Sequence, residues 1–272
     1  MADEPRHGWQ AAVIAVLTAV GLLLPSSWAA TAVAEPPTPP VNCSAPNVVC
    51  MTADSTTRIE VTTPNLVVDG RGFSSVGITV NADHVTVQNF NFTNCASHCV
   101  WVKGTGNVVQ DNRISQVYHD GDDIDGLRFF GDGTWILRNT FTNILKGPKR
   151  DSHLDCMQTW AGSETGASSG VVIQGNHCDD ADFRQCLMVE GPGSTDGGGG
   201  GAGVTANWVV AGNYFACHAN QTIALRDVHN TVIQGNHFAG SGRKAIQQTD
   251  GTSGIRLVGN VLGPGYGRLT GD

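Results

Sequence analysis

The chain has 272 residues, with 24 acidic against 16 basic side chains and a formal net charge of −8. A mildly acidic chain has no electrostatic reason to hold nucleic acid, and an acidic polysaccharide would need a local basic patch set against the overall field. The length suits one domain with one sizeable core.

Arg6 and His7 precede an apolar run from Ala11 to Leu24, 14 residues long and shorter than the roughly 20 a bilayer core requires. Pro25 and the small triplet Ala32-Val33-Ala34 follow, the layout of a secretory signal peptide over residues 1–34. No second apolar run exists, so the expected product is secreted and leaves the membrane after cleavage. Residues 35–56 read as an N-terminal cap and 57–272 as the folded domain. All eight cysteines follow the cleavage point, and an even count in a secreted chain predicts disulfides. With no CxxC pair, zinc has little support.

Seven segments share one pattern, an apolar strand closed by asparagine and then a second short strand. They are VTVQNFNF (85–92), VVQDNRIS (108–115), WILRNTFT (135–142), VVIQGNHC (171–178), WVVAGNYF (208–215), TVIQGNHF (231–238) and IRLVGNVL (255–262). The asparagines are Asn89, Asn112, Asn139, Asn176, Asn213, Asn236 and Asn260, spaced by 23, 27, 37, 37, 23 and 24, so a unit of about 23 carries insertions in the middle. A period of that size marks a solenoid. The runs are β-branched with period-two alternation and Gly/Asn punctuation, without a leucine-repeat pattern or helical amphipathicity.

Each unit carries another strand, from GITV (77–80) through GLRF (126–129), CMQT (156–159) and CLMV (186–189) to AIQQ (245–248). The fold class is therefore all-β, a right-handed single-stranded parallel β-helix of about seven to eight coils. Stacked about 4.8 Å apart at a bend, the asparagine amides can bond along their column and satisfy the turn backbone. His177 and His237, each following a ladder asparagine, read as turn residues. Cys156 and Cys186 occupy one place in adjacent coils, which predicts a bridge between them. Cys43–Cys50 and Cys95–Cys99 close short loops, leaving Cys178 for Cys217.

This repeat organisation spans residues 57–263 and resembles the pectate-lyase-like superfamily of right-handed β-helices. The resemblance implies carbohydrate chemistry, since members of that superfamily are lyases of uronic-acid polymers, glycoside hydrolases, uronan epimerases and phage depolymerases. It is architectural, so function has to be argued from the decorated face.

With Leu127, Met157, Leu187 and Leu225 inward, one outward column of the second strand set reads Trp101, Arg128, Gln158, Met188, Ala224. Its neighbour reads Lys103, Phe130, Trp160, Glu190, Arg226. Aromatics mixed with cations, an amide and a carboxylate suit a sugar chain, whose rings offer apolar C–H faces and hydroxyl edges. Trp101, Lys103, Asp125, Trp160, Glu190 and Arg226 are the substrate-binding candidates. The turns feeding three successive coils carry Tyr118–Asp123, Lys146–His153 and Asp179–Asp182. The acidic ones offer Asp120, Asp122, Asp123 and Asp180 as ligands for Ca²⁺, which takes six to eight oxygens; surface charge pairing explains them equally well.

Around the string Asp151–Trp160 the candidates for catalysis gather: His153, Asp155 and Gln158, with Arg128 of the coil before and Arg184 of the coil after. Elimination from a uronic acid needs a cation or amide on the sugar carboxylate, a base for the C5 proton and an acid for the glycosidic oxygen. His153 is the expected base, with Lys149 or Arg150 as alternatives, and Arg128, Gln158 and Arg184 hold the carboxylate. The expected protein is a monomeric polysaccharide lyase acting on an acidic polymer. A glycoside hydrolase using Asp125, Asp155 or Glu190 in pairs, and a non-catalytic carbohydrate-binding β-helix, stay open. The Gly197–Gly201 run reads as a flexible loop over the cleft or a tolerated insertion.

Overall fold

The computed structural model describes residues 41–119, 123–146, 152–180, 184–195 and 198–271. The signal peptide, Asp120, Asp122, Lys149 and Arg150 lie outside these residues, as does the side chain of Asp180. Among the described residues there is no helix. Strands stack into three parallel sheets of nine, eight and nine, beside a two-stranded pair, Ser241–Gly242 with Gly265–Tyr266. The first sheet runs from Val48–Cys50 to Arg256–Val258, the second from Ser74–Ser75 to Val261–Leu262, and the third from Ile59–Val61 to Thr270–Gly271. Each coil visits the three in turn, which is the right-handed parallel β-helix the repeats predict. The stretch read as an N-terminal cap holds the first strand, which pairs with Val67–Asp69.

Period-two alternation explains the sheets. In the first sheet the central residues Val68, Val87, Val109, Ile136, Ile173, Val210 and Ile233 fall in one register column, each at most 2% exposed. Phe92, Ile114, Phe141, Phe215 and Phe238 face them from the second sheet, all fully buried. From the third sheet come Ile78, Val100, Leu127, Met157, Leu187 and Ile223, again fully buried. Leu225 is inward as expected, fully buried two residues beyond Ile223 and beside Val189. Burying each such side chain is worth about 1.5–3 kcal/mol.

The asparagine column forms, with one correction. Asn112, Asn139, Asn176, Asn213, Asn236 and Asn260 are linked by an Nδ2–H···Oδ1 bond from each to the next at 2.9–3.1 Å. Each Oδ1 also accepts the backbone N–H of the asparagine before it. Asn89 is one residue out of step: Gln88 pairs with Gln110, so Phe90 stands in the ladder row, and its N–H bonds Asn112 Oδ1 at 3.0 Å. Asn89 belongs instead to a left-handed column with Asp111, Arg138, Gly175, Gly212, Gly235 and Gly259, whose φ values run from 53° to 66°. Glycine and asparagine tolerate that backbone best.

His177 and His237 begin strands of the second sheet rather than turns, and both rings pack on Tyr214, at 4.6 and 5.3 Å. The glycine-rich segment is held close. Gly198 lies against Glu190 and Trp160 where a Cβ would collide, Gly201 N–H bonds Ala161 O at 2.6 Å, and Gly193 N–H bonds Asp227 Oδ2 at 2.6 Å.

The two outer disulfides, Cys43–Cys50 and Cys95–Cys99, are as expected. The inner pairing is not: Cys156 bonds Cys178 and Cys186 bonds Cys217, at Cα separations of 6.4 and 6.2 Å. Register neighbours such as Cys156 and Cys186 have parallel Cβ vectors, because side chains stand perpendicular to a sheet. Partners on facing walls of the coil point at one another. Four bridges suit an oxidising compartment.

Two measurements check this account. Asn176→Ala removes the acceptor of two Asn139 donors and the donor to Ile136 O. At about 1–3 kcal/mol for each buried group left unpaired, denaturant unfolding should show a loss of about 3 kcal/mol or more, whereas Asn89→Gly should change stability by no more than about 1 kcal/mol. Tryptic digestion without reduction should release residues 151–184 and 185–226 as separate peptides, each with an internal bridge. A single cross-linked species would restore the Cys156–Cys186 pairing.

Candidate active site

The register reproduces both outward columns of the third sheet. Trp101, Arg128, Gln158, Met188 and Ala224 align, as do Lys103, Phe130, Trp160, Glu190 and Arg226. Phe130 lies between Trp101 and Trp160 at centroid distances of 5.0 and 4.7 Å. Glu190, beneath Gly198, is only 6% exposed and sits 3.8 Å from Arg226 Nε. Lys103 is exposed and its Nζ bonds Glu164 O at 3.0 Å. Beside it a cavity of about 470 Å³ is lined by Thr62, Pro64, Asn81, Ala82, Asp83 and Lys103.

The chemistry concentrates at the leading edge of this sheet. Arg128, 7% exposed, donates from Nε to Asp125 Oδ2 at 2.5 Å and from Nη2 to Asp123 O at 2.9 Å, with Asp123 Oδ2 at 2.8 Å. Its guanidinium lies 4.7 Å from the Trp160 ring centroid. Among the described residues none bonds Nη1. Gln158 follows in the same column, 5% exposed, with Oε1 unpartnered. The expectation of an exposed Arg128 is thus corrected: it bridges two carboxylates.

Asp125 and Asp155 are fully buried, and each accepts from the next coil: Asp125 Oδ1 takes Asp155 N–H at 2.9 Å, and Asp155 Oδ1 takes Gln185 N–H at 2.7 Å. Burial pushes the Asp125 carboxyl up to about 6 against the pull of Arg128. Burial, then the charge of Asp125, holds Asp155 well above the usual carboxylate range. Burial would also raise Asp123, but His153 and Arg128 outweigh it and hold that carboxyl below its ordinary value.

A bridge pairs Asp123 with His153 in the next coil. His153 Nδ1 stands 3.3 Å from Asp123 Oδ1 and 3.6 Å from Asp155 Oδ2, the latter oxygen having no hydrogen-bond partner. Asp123 and His153 are the most open members of the group, their side chains being 52% and 31% exposed. Arg184 is exposed and joins this edge through its N–H to Leu154 O at 2.7 Å. Gln185 carries no motif of its own in the sequence; its place two residues before the inward Leu187, in line with Asp155, is the signal that marks it.

Of the four carboxylates expected to bind calcium, Asp123 alone has a described side chain, and both its oxygens face Arg128 and His153. Asp123, Asp125 and His153 do bring ligand atoms within 4.8 Å of one another. Calcium takes six to eight oxygens, and here an imidazole supplies one donor while a guanidinium already neutralises both carboxylates. The described residues do not fit that ion.

A family model described as a right-handed β-helix region matches residues 76–262. No curated protein matches the chain. Among solved structures, PfbA, a surface adhesin of Streptococcus pneumoniae, aligns with a TM-score of 0.54 at 14% identity, over 80% of this chain and 62% of that one. An alginate lyase from Paenibacillus sp. gives 0.40 at 8% identity, over 76% and 74%. An alginate lyase complexed with a trisaccharide gives 0.43 at 13%, over 77% and 54%. The chain spans less than two thirds of the adhesin's length, and the likeness is one of fold.

The raised carboxyl of Asp155 has a testable sign. A folded pKa above the unfolded one stabilises fully below about pH 4 and loses that contribution as pH climbs through the raised value. Asp155→Asn keeps the Oδ1 acceptor and carries no charge. Its melting temperature should therefore gain on the wild type as pH rises from about 4 to 7, and a pH-independent difference would mean that Asp155 titrates normally.

Proposed function

The chain belongs to the right-handed β-helix family, and on that scaffold we propose a secreted lyase that cleaves a uronic-acid polysaccharide by β-elimination. One observation carries the reading: Arg128 is pinned through Nε and Nη2 while Nη1 has no described partner, beside Gln158 in the same column and one coil from His153. An arginine held in this way is preorganised for a carboxylate, and the Gln158 amide supplies a second donor.

With the sugar carboxylate on Arg128 and Gln158, the C5 proton becomes acidic and His153 removes it. Asp123 Oδ1 and Asp155 Oδ2 flank Nδ1 at 3.3 and 3.6 Å and favour a proton there, so that Nε2 is the nitrogen that takes the substrate proton. The C5–H and C4–O bonds break, the C4–C5 double bond forms, and the imidazolium returns its proton to the departing glycosidic oxygen. No step is routed through calcium. Trp101 and Trp160 offer ring faces to neighbouring sugars, Lys103 offers a cation, and the cavity beside Lys103 accommodates a further unit. Lys149 and Arg150 keep their place as alternative bases by sequence, and Arg184 as a further cation at this edge. The hydrolytic alternative has less support, because Asp125 and Asp155 already accept backbone N–H groups and Glu190 lies beneath Gly198 beside Arg226, whereas two carboxyls must reach the sugar.

The test is incubation with pectate, alginate, hyaluronan and glucuronan while the unsaturated product is followed by absorbance. His153→Ala should cut turnover by about 10²–10⁴ with the melting temperature little changed, and a metal chelator should leave turnover unchanged. Arg128→Ala strands buried Asp125 and should cost about 3–5 kcal/mol, so Gln158→Ala is the cleaner probe of carboxylate binding. New reducing ends without unsaturated product would make the chain a hydrolase. Binding without cleavage would make it a binding module.

A further inference from the structure

We propose that His98 is a positioning residue for this site, the first rung of a ladder that sets Asp125 and, through it, Arg128. The proposal rests on the lyase reading for its kinetic consequence but not for its geometry. Val100 pairs with Leu127, so two residues earlier His98 stands in line with Asp125, as Asp125 does with Asp155 and Asp155 with Gln185. Each member accepts the backbone N–H of the next. His98 Nδ1 takes Asp125 N–H at 3.1 Å, Asp125 Oδ1 takes Asp155 N–H at 2.9 Å, and Asp155 Oδ1 takes Gln185 N–H at 2.7 Å.

The chemistry of the column explains an imidazole at its head. An acceptor is needed beside two buried carboxyls whose pKa values burial has already raised. A third carboxylate there would add repulsion, whereas a neutral imidazole accepts at Nδ1 with its proton on Nε2.

His98 is itself held. The Cys95–Cys99 bridge closes a four-residue span around it. Arg58, from an earlier coil, donates to His98 O at 2.7 Å and to Ser97 Oγ at 3.3 Å, while its other nitrogens bond Thr79 Oγ1 at 2.6 Å and Ile78 O at 3.0 Å. The His98 ring also leans on Trp101 at 5.5 Å. A disulfide-closed loop thus fixes an acceptor, the acceptor fixes Asp125, and Asp125 fixes Arg128 and the N–H of Asp155. Misplacing a binding group by about 1 Å can cost 10²-fold in rate, so this chain of contacts acts on catalysis without touching substrate.

Three substitutions test it. Asparagine puts its Oδ1 where Nδ1 stands, glutamine carries its amide one bond further out, and alanine removes the acceptor. His98→Asn should keep kcat/KM within about threefold of the wild type, while His98→Gln and His98→Ala should lose about tenfold or more. Amide hydrogen exchange at Asp125 supplies a readout independent of activity: it should stay slow in His98→Asn and accelerate in the other two. If the wild type cuts none of the four polymers, the lyase reading fails and the exchange rates alone decide the role of His98. Wild-type exchange in His98→Ala, or a His98→Asn protein as impaired as His98→Ala, overturns the proposal. Should His98→Ala not fold, the contrast between asparagine and glutamine decides in its place.

Discussion

A coil that turns a corner leaves backbone N–H groups between strands without a strand partner, and a buried N–H left unpaired is costly. This protein meets that constraint with side-chain acceptors supplied from the neighbouring coil. At the bend after the first sheet the acceptor is an asparagine amide, which can also donate, so six asparagines both satisfy the bend and bind each other. At the leading edge of the third sheet the acceptors are carboxyls, Asp125 and Asp155, which need no matching donor of their own.

The two solutions have different consequences. An amide column is neutral and closes on itself. A carboxyl column buries charge or binds protons, and the structure does both: Arg128 neutralises Asp125, while Asp155 is held well above the usual carboxylate range. The strand-start device therefore leaves a fixed guanidinium, a carboxyl held well above its ordinary range and an imidazole at one edge of one face. Perturbed groups of this kind are also what purely structural ion pairs produce. Arg128 Nη1, which no described residue bonds, and the half-buried ring of His153 are the two features on which the proposed function draws.

Stacking also limits what the insertions can do. The 37-residue spacings fall between ladder asparagines, yet Asn139, Asn176 and Asn213 keep their bonds, and the described part of the extra chain lies at the corners of the third sheet. Gly198 and Gly201 fold back onto Trp160, Ala161 and Glu190 because they carry no Cβ. A run that reads as flexible thus becomes part of the wall, and Glu190, expected as a substrate contact, lies beneath it.

The sequence by itself determined the solenoid, its sheets and the two outward columns, because alternation and a period of about 23 leave one way to bury the apolar side chains. It also brought His153, Asp155, Gln158 and Arg128 to adjacent rungs. It placed Asn89 in the wrong column, since a one-residue slip is invisible when both neighbouring rows tolerate asparagine. It also paired Cys156 with Cys186, since adjacency along the stack says nothing about which way a Cβ points. Whether Arg128 lay open or was held by Asp123 and Asp125, and which of its nitrogens they engage, was decided by tertiary structure alone. Those contacts join residues whose side-chain directions are set by coil stacking and corner geometry, and no spacing in the chain encodes them.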